Sequence, residues 1–374
     1  MQSRRHFLGH SAAGIAATFA PPLATRAFAS LPPGVSSSLI QINSNENPYG
    51  PSARALDALT KAERAAARYP DAAEESLLDA IARHHGVDRE EVVLGCGSSE
   101  VLQVADMAFL GAGRKVVCAE PTFEAVLAYA RVTRAEPVKV PLTADFRHDL
   151  PAMAAACGSA AGLVYVCNPN NPTGTLVTRD ELAAFLQAVP ADAVVLVDEA
   201  YHHFVEDDRY ASGMELRARH PNVVVARTFS KIHGLAGMRL GYAVASRENA
   251  RAMREHVSWN NTNGAVLAAA LASLQDEAHV AAQRRRLNGT RDWLCRELAR
   301  EGRRFIPSHA NFLMIDVIED VKPVIEAFQK RGLLVGRKFP SLPNWLRVSI
   351  GSDQEMRAFL KALRALVPVI QTTS

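Results

Sequence analysis

The sequence has no Cys-x-x-Cys pair, and its five cysteines (Cys96, Cys118, Cys157, Cys167 and Cys295) are odd in number. That argues against both a disulfide framework and a thiolate metal site. Cys118 and Cys167 stand inside apolar runs and read as small buried hydrophobes. The histidines offer no metal-ligand spacing either. His84-His85 and His202-His203 are adjacent pairs, and neighbouring side chains are expected to diverge. No basic tract is interleaved with aromatic residues, so nothing points to nucleic acid. Arg284-Arg285-Arg286 is a short run that reads as a solvated helix face. No internal repeat is evident. The apolar stretch near the N-terminus is broken by Gly14, Pro21 and Pro22, and is too short to span a membrane as a permanent helix.

What stands at the N-terminus has the layout of an export signal. Ser3-Arg4-Arg5-His6-Phe7-Leu8 resembles a twin-arginine motif, followed by an Ala-rich stretch and a small-x-small site at Ala27-Phe28-Ala29. Residues 1–29 are therefore expected to be a signal peptide, giving a periplasmic or exported protein. Residues 30–38 read as a linker. Removing the leader takes three arginines from 42 basic residues and none from 39 acidic ones, so the remaining chain carries 39 of each. About 345 residues exceed one comfortable core, so two domains are expected.

Strand-like runs occur at 92–94, 115–119, 137–140, 163–166, 194–197, 223–228 and 240–245. Helical patterns at 99–110, 122–132 and 179–188 lie between them. This alternation predicts an α/β domain with a mixed, mainly parallel sheet covered on both faces. The segment from 231 to 240 is too short for a helical crossover, so the strand at 240–245 is expected to run antiparallel. After residue 262 the pattern shifts to long helices (265–275, 279–301). A smaller α+β stretch follows, with runs at 310–315, 321–331, 346–350 and 354–366. The expected division is a large domain over 61–262 and a small domain over 263–374, joined by the N-terminal segment 39–60.

Four clusters carry chemistry. Thr228-Phe229-Ser230-Lys231 follows an apolar strand, with Arg239 eight residues on. An amine that attacks a carbonyl needs a fixed position, and a phosphate on that carbonyl compound needs a hydroxyl and an arginine nearby. A lone lysine after a strand is more often a solvated surface group. Val194-Val195-Leu196-Val197-Asp198 ends a doubly buried strand on a carboxylate. Asp198 reads equally as a helix cap or as the partner of a buried cation. Val164-Tyr165-Val166-Cys167-Asn168-Pro169-Asn170-Asn171-Pro172 runs into a loop with two Asn-Pro pairs. Proline restricts the residue before it, so the loop path is fixed and can hold Asn171 as a donor. Gly95-Cys96-Gly97-Ser98-Ser99-Glu100 joins a strand to a helix and suits an anion. It lacks the third glycine of a dinucleotide fingerprint.

Taken together and in this order, Asn171-Pro172-Thr173-Gly174, Asp198-Glu199-Ala200-Tyr201 and Ser230-Lys231 with Arg239 resemble the fold-type I aminotransferases that depend on pyridoxal 5'-phosphate (PLP). Asn43-Ser44-Asn45-Glu46-Asn47-Pro48-Tyr49-Gly50, Arg68-Tyr69-Pro70-Asp71, Ser308-His309-Ala310-Asn311-Phe312 and Trp345-Leu346-Arg347-Val348-Ser349 are similar to the histidinol-phosphate aminotransferases within that group. The resemblance covers roughly 38–368. It implies the PLP-dependent transferase fold and transfer of an amino group between an amino acid or amino-alcohol phosphate and a 2-keto acid. Decarboxylases and other PLP lyases share the scaffold, and an exported aromatic amino acid aminotransferase is a further alternative.

The resemblance also implies roles for single residues. Lys231 would hold the cofactor and act as base, and Asp198 would face the pyridine nitrogen. Ser98, Ser99, Ser230 and Arg239 would form the phosphate cup, and Phe123 would stack on the ring. Asn171 and Tyr201 would reach the ring oxygen. Tyr69 would cross to the neighbouring subunit of a homodimer. Tyr49, Asn171, Arg337 and Arg347 would meet the substrate, with Arg347 clamping a carboxylate.

Overall fold

The apolar runs in the middle of the chain pair edge to edge, because each is buried on both faces and needs a backbone partner on either side. The computed structural model describes residues 39–368. The expected leader over 1–29 and linker over 30–38 lie outside those residues. The strands in chain order are β1 (Ile40–Gln41), β2 (Val92–Gly95), β3 (Lys115–Glu120), β4 (Glu136–Pro141), β5 (Ala161–Cys167) and β6 (Val194–Asp198). After these come β7 (Val223–Thr228), β8 (Gly241–Val244), β9 (Phe305–Ile306), β10 (Phe312–Asp316), β11 (Leu333–Leu334) and β12 (Trp345–Ser349). Seven of them form one sheet in the order β2-β8-β7-β6-β5-β3-β4. Strands β3 to β7 pair parallel, and β8 runs antiparallel to both β7 and β2. The mixed sheet expected from the sequence is thus found, with its one reversed strand in place.

Helices cover both faces. Ser98–Phe109 and Ala125–Thr133 bury Val101, Leu102, Ala105, Val126 and Ala130 against Cys118, Tyr165 and Leu196. Leu150–Cys157 and Arg179–Ala188 bury Met153, Leu182 and Phe185 against Val164, Val195 and Val197. Thr178 caps the second of these, and Glu181 completes a capping box. Near β2 and β8 a third layer packs Ala55, Leu77, Ile81, Val266 and Leu267 on Val92, Leu94 and Val244. That layer includes helix Gly264–Leu274. By its packing this helix lies with the seven-stranded sheet, although the sequence pattern grouped residues beyond 262 with the small domain.

A second packing centre forms from β12-β10-β9, all antiparallel, with helices Glu277–Arg300, Val321–Gln329 and Asp353–Leu366. Its core joins Leu294, Leu298, Phe312, Leu346, Phe328 and Phe359, the last two rings stacked 5.3 Å apart. Strand β1 pairs parallel with β11 through Ile40↔Leu333 and Gln41↔Leu334. The N-terminal segment therefore adds a strand here, while its helix Ala53–Ala62 buries Ala55 in the layer near β2.

Two local expectations need correction. The paired histidines do not diverge: the rings of His202 and His203 lie 3.7 Å apart. These residues sit in a 3-10 turn, His202–Phe204, where successive side chains are not alternated as in a strand. The arginine run is not wholly solvated. Arg284 donates to the Val205 carbonyl, and the Arg286 guanidinium lies 3.5 Å above the Tyr49 ring centroid.

Candidate active site

The parallel strands β3, β5, β6 and β7 end on one edge of the sheet, at Glu120, Cys167, Asp198 and Thr228. In open α/β sheets this edge is where ligands bind. The loops leaving it carry most of the residues singled out from the sequence.

The connection from β7 to β8 presents Ser230, Lys231 and Arg239. Ser230 N–H donates to Thr228 Oγ1 at 3.1 Å, and Phe229 N–H to the Leu240 carbonyl at 3.1 Å, which folds the loop onto itself. Arg239 adopts φ 59° and points its Nη1 at Ser230 Oγ, 3.4 Å away. Opposite stands the start of helix Ser98–Phe109. Gly97 precedes it with φ 80° and supplies no side-chain cap. A Cβ on Gly97 would fall 2.3 Å from Arg239 Nη2, and one on Gly241 would fall 2.4 Å from the Ser98 nitrogen. The two glycines thus let the arginine and the helix start approach each other. Amides in the first turn of a helix have no partners of their own, so an uncapped start beside a guanidinium and a hydroxyl attracts an anion.

Asp198 closes β6 and is 3% exposed. Its Oδ2 accepts from the Tyr165 hydroxyl at 2.8 Å, and its Oδ1 from Ala200 N–H at 3.1 Å. Burial pushes its pKa up, outweighing the Tyr165 bond, the Ala200 amide and the Lys231 charge, which pull it down. The next residue, Glu199, makes a locked ion pair with Arg227 at 2.8 Å. Ser212 Oγ and Gly213 N–H also donate to that carboxylate. This pair braces the ends of β6 and β7.

Lys231 and Tyr201 face the N-terminal strap, residues 43–47. Lys231 Nζ donates to the Ser44 carbonyl at 3.3 Å and lies 5.7 Å from the Tyr201 ring centroid. The Tyr201 hydroxyl accepts from Asn45 Nδ2 at 3.1 Å and from Asn171 Nδ2 at 3.3 Å, and burial raises its pKa. Asn171 turns its carbonyl oxygen to Arg347 Nη1 at 2.8 Å. Arg347 Nη2 reaches the Asn43 carbonyl at 2.9 Å. Asn171 therefore links the tyrosine to the arginine, and loop, strap and β12 meet at one point. Phe123 is half-buried on the loop after β3 and packs beside the core of that sheet face.

The structure does not bring in every expected residue. Tyr69 is 77% exposed in the single chain. Tyr49, expected at the substrate, is partly buried, its ring beside the second packing centre and under the Arg286 guanidinium. Arg337 stands at the rim, where its Nη2 donates to Glu124 Oε2 at 2.6 Å. Ser99 lies in the first turn of its helix beside Ser98.

Sequence reasoning missed several contributors. Asn45 sits buried at φ 55°, held by Ser349 through its own N–H and its side-chain oxygen. Asn311 fixes the strap by donating to the Asn45 and Glu46 carbonyls, and Asn47 donates to the Ile232 carbonyl. Tyr165 was read only as part of a strand. Asparagine density in 43–47 was the available signal, but its partners lie as far as 304 residues away.

Comparisons with known proteins agree with this geometry. Residues 37–363 match the family Aminotransferase class I and II. A histidinol-phosphate aminotransferase of Moorella thermoacetica is 39% identical over 332 residues, covering 88% of this chain and 86% of that relative. An aromatic amino acid aminotransferase of Rhodococcus jostii is 40% identical over 322 residues, covering 86% and 88% respectively. The crystal structure of histidinol-phosphate aminotransferase from Sinorhizobium meliloti in complex with pyridoxal-5'-phosphate superposes with a TM-score of 0.82 at 28% identity. That match covers 88% of this chain and 90% of that one. The chain therefore belongs to the class I and II aminotransferases, PLP-dependent enzymes that pass an amino group between amino acids and keto acids.

Proposed function

We propose that this enzyme moves the amino group of a histidinol-phosphate-like donor to 2-oxoglutarate, with Lys231 as the residue that anchors PLP. The observation that carries the reading is the convergence of Lys231, Tyr201, Asn171 and Arg347 beside the buried carboxylate of Asp198. These residues suit the cofactor. The uncapped helix start with Ser98, Ser99, Ser230 and Arg239 fits a phosphate. Asp198 is buried deeply enough to call for a cation such as a pyridinium. Phe123 offers a ring face, and the Asn171 amide and Tyr201 hydroxyl offer polar contacts to a ring oxygen. When bound, PLP supplies an aldehyde for the amino group and an electron-withdrawing ring that acidifies the α-proton.

The chain's own residues do the rest. Asp198 keeps the ring nitrogen charged, and Tyr165 and Ala200 keep Asp198 oriented. Lys231 Nζ removes the α-proton and returns a proton on the product side. Arg347 binds the substrate's acidic group, and Asn171 and the Asn43 carbonyl aim its guanidinium. The strap 43–47 covers the site and limits entry of water. Tyr69 reaches the phosphate of a neighbouring subunit in a homodimer, which gives its high exposure a purpose. The N-terminal pattern in residues 1–29 supports export through the twin-arginine pathway after folding.

An aromatic amino acid is the second donor considered, favoured by the aromatic amino acid aminotransferase relatives at 38% and 40% identity. Purified enzyme given histidinol phosphate, aromatic amino acids and other donors with 2-oxoglutarate should form glutamate fastest with the first. Carbon dioxide released without glutamate would replace transamination by a lyase reaction.

A further inference from the structure

Glu124 follows Phe123 on the loop after β3 and crosses to the small lobe, where its carboxylate takes the 2.6 Å bond from Arg337. Both side chains are half exposed, at 52% and 50%. A second bond ties the same two segments, from Ser341 Oγ to Glu120 Oε1 at 2.6 Å. Arg337 is at the rim but is not remote from the site. Its guanidinium carbon lies 4.3 Å from the centroid of the Phe339 ring, and that of Arg347 lies 5.3 Å from the same centroid. Two guanidiniums therefore flank one ring, separated by no more than the sum of those distances. Two guanidiniums within that bound can take a substrate acidic at both ends, one end on each arginine. Arg337, however, already holds a carboxylate.

We propose that Glu124 is an internal competitor for the distal acidic group of the substrate, and that it sets how strongly the enzyme prefers dicarboxylic to monocarboxylic partners. This rests on the transaminase reading, with Arg347 binding the other end. A half-exposed ion pair is weak, so an incoming anion displaces it at small cost. The Arg227–Glu199 pair shows the contrast: its side chains are only 9% and 1% exposed, so it is desolvated where the Arg337–Glu124 pair is not. When a dicarboxylate leaves, Glu124 pairs with Arg337 again. When a monocarboxylate binds, the pair stays closed beside Phe339 and offers it an apolar wall. Glu124 thus weakens only those ligands that need Arg337.

The test uses purified holoenzyme and the variants Glu124→Gln, Arg337→Gln, the double variant, and Glu120→Gln as a control on the neighbouring contact. Calorimetry reads the binding of glutarate and of 4-phenylbutyrate, neither of which can react. Steady-state assays read KM for 2-oxoglutarate and for phenylpyruvate. Glu124→Gln should lower the glutarate Kd and the 2-oxoglutarate KM about two- to fivefold, the range an exposed pair supports, and leave the monocarboxylates unchanged. Arg337→Gln should abolish the dicarboxylate preference, the double variant should match it, and Glu120→Gln should leave the preference intact. Unchanged glutarate binding in Glu124→Gln, or equal improvement for both ligand classes, overturns the proposal. A shifted glutarate Kd with no amino transfer to either acceptor would remove the transaminase reading and leave the competition standing.

Discussion

Asp106 offers a stability prediction that can be worked to a magnitude. Helix Ser98–Phe109 carries it into the sheet core beside Val101, Leu102 and Ala105. It is 0% exposed, and neither carboxyl oxygen has a hydrogen-bond partner among the described residues. Burial pushes its pKa from 3.8 up to about 8. The folded protein at pH 7 therefore holds this acid neutral, whereas the unfolded chain ionises it. Folding must take up a proton, so Asp106 costs stability progressively as pH rises from about 4 to about 8, and no further above that. At pH 7 the gap from the unfolded value is about 3 pH units, or about 4 kcal/mol as an order of magnitude. Asparagine keeps the shape and needs no proton. Asp106→Asn should be more stable than the parent by up to about 4 kcal/mol at pH 7 and close to equal near pH 4. Denaturant midpoints of the holoenzyme at pH 5, 7 and 8.5 read this directly, with the gain growing along the series. A gain independent of pH, or a loss that grows with pH, would refute the reasoning. The result bears on the site, because the same helix presents Ser98 and Ser99.

Two other perturbations have defined outcomes. Gly97→Ala places a methyl 2.3 Å from Arg239 Nη2 at a backbone φ of 80°, so PLP affinity measured by absorbance titration should fall at least about tenfold as the guanidinium is displaced. Glu199→Gln leaves Arg227 buried without its counter-charge; thermal and urea unfolding should show a loss of about 3–5 kcal/mol.

The sheet was legible because buried parallel strands announce themselves as unbroken apolar runs. Val194–Asp198 and Val223–Thr228 have no exposed residue, and both boundaries fell within one residue of expectation. The reversed β8 followed from chain length alone. Helix Gly264–Leu274 carries small apolar residues nearly all round, so its sequence did not say which lobe it covers. Lys231, Asp198 and Asn171 were visible because each sits where a strand ends and a loop begins. Asn45, Asn311 and Ser349 were not, because their roles exist only after β10, β12 and the strap have come together. Arg337 shows the limit from the other side. Its type suggested an acid partner, and the partner among the described residues is Glu124, 213 positions earlier. That Arg286 covers the Tyr49 ring was not legible either, because the two lie far apart in sequence.

The account rests on one amine, Lys231 Nζ, being the group that carries PLP. Borohydride reduction of the holoenzyme followed by peptide mapping tests this directly. The pyridoxyl mass should appear on the peptide containing Lys231, and Lys231→Ala should take up no reducible label. A label on any other lysine, or a coloured holoenzyme whose Lys231 peptide stays unmodified, would contradict it.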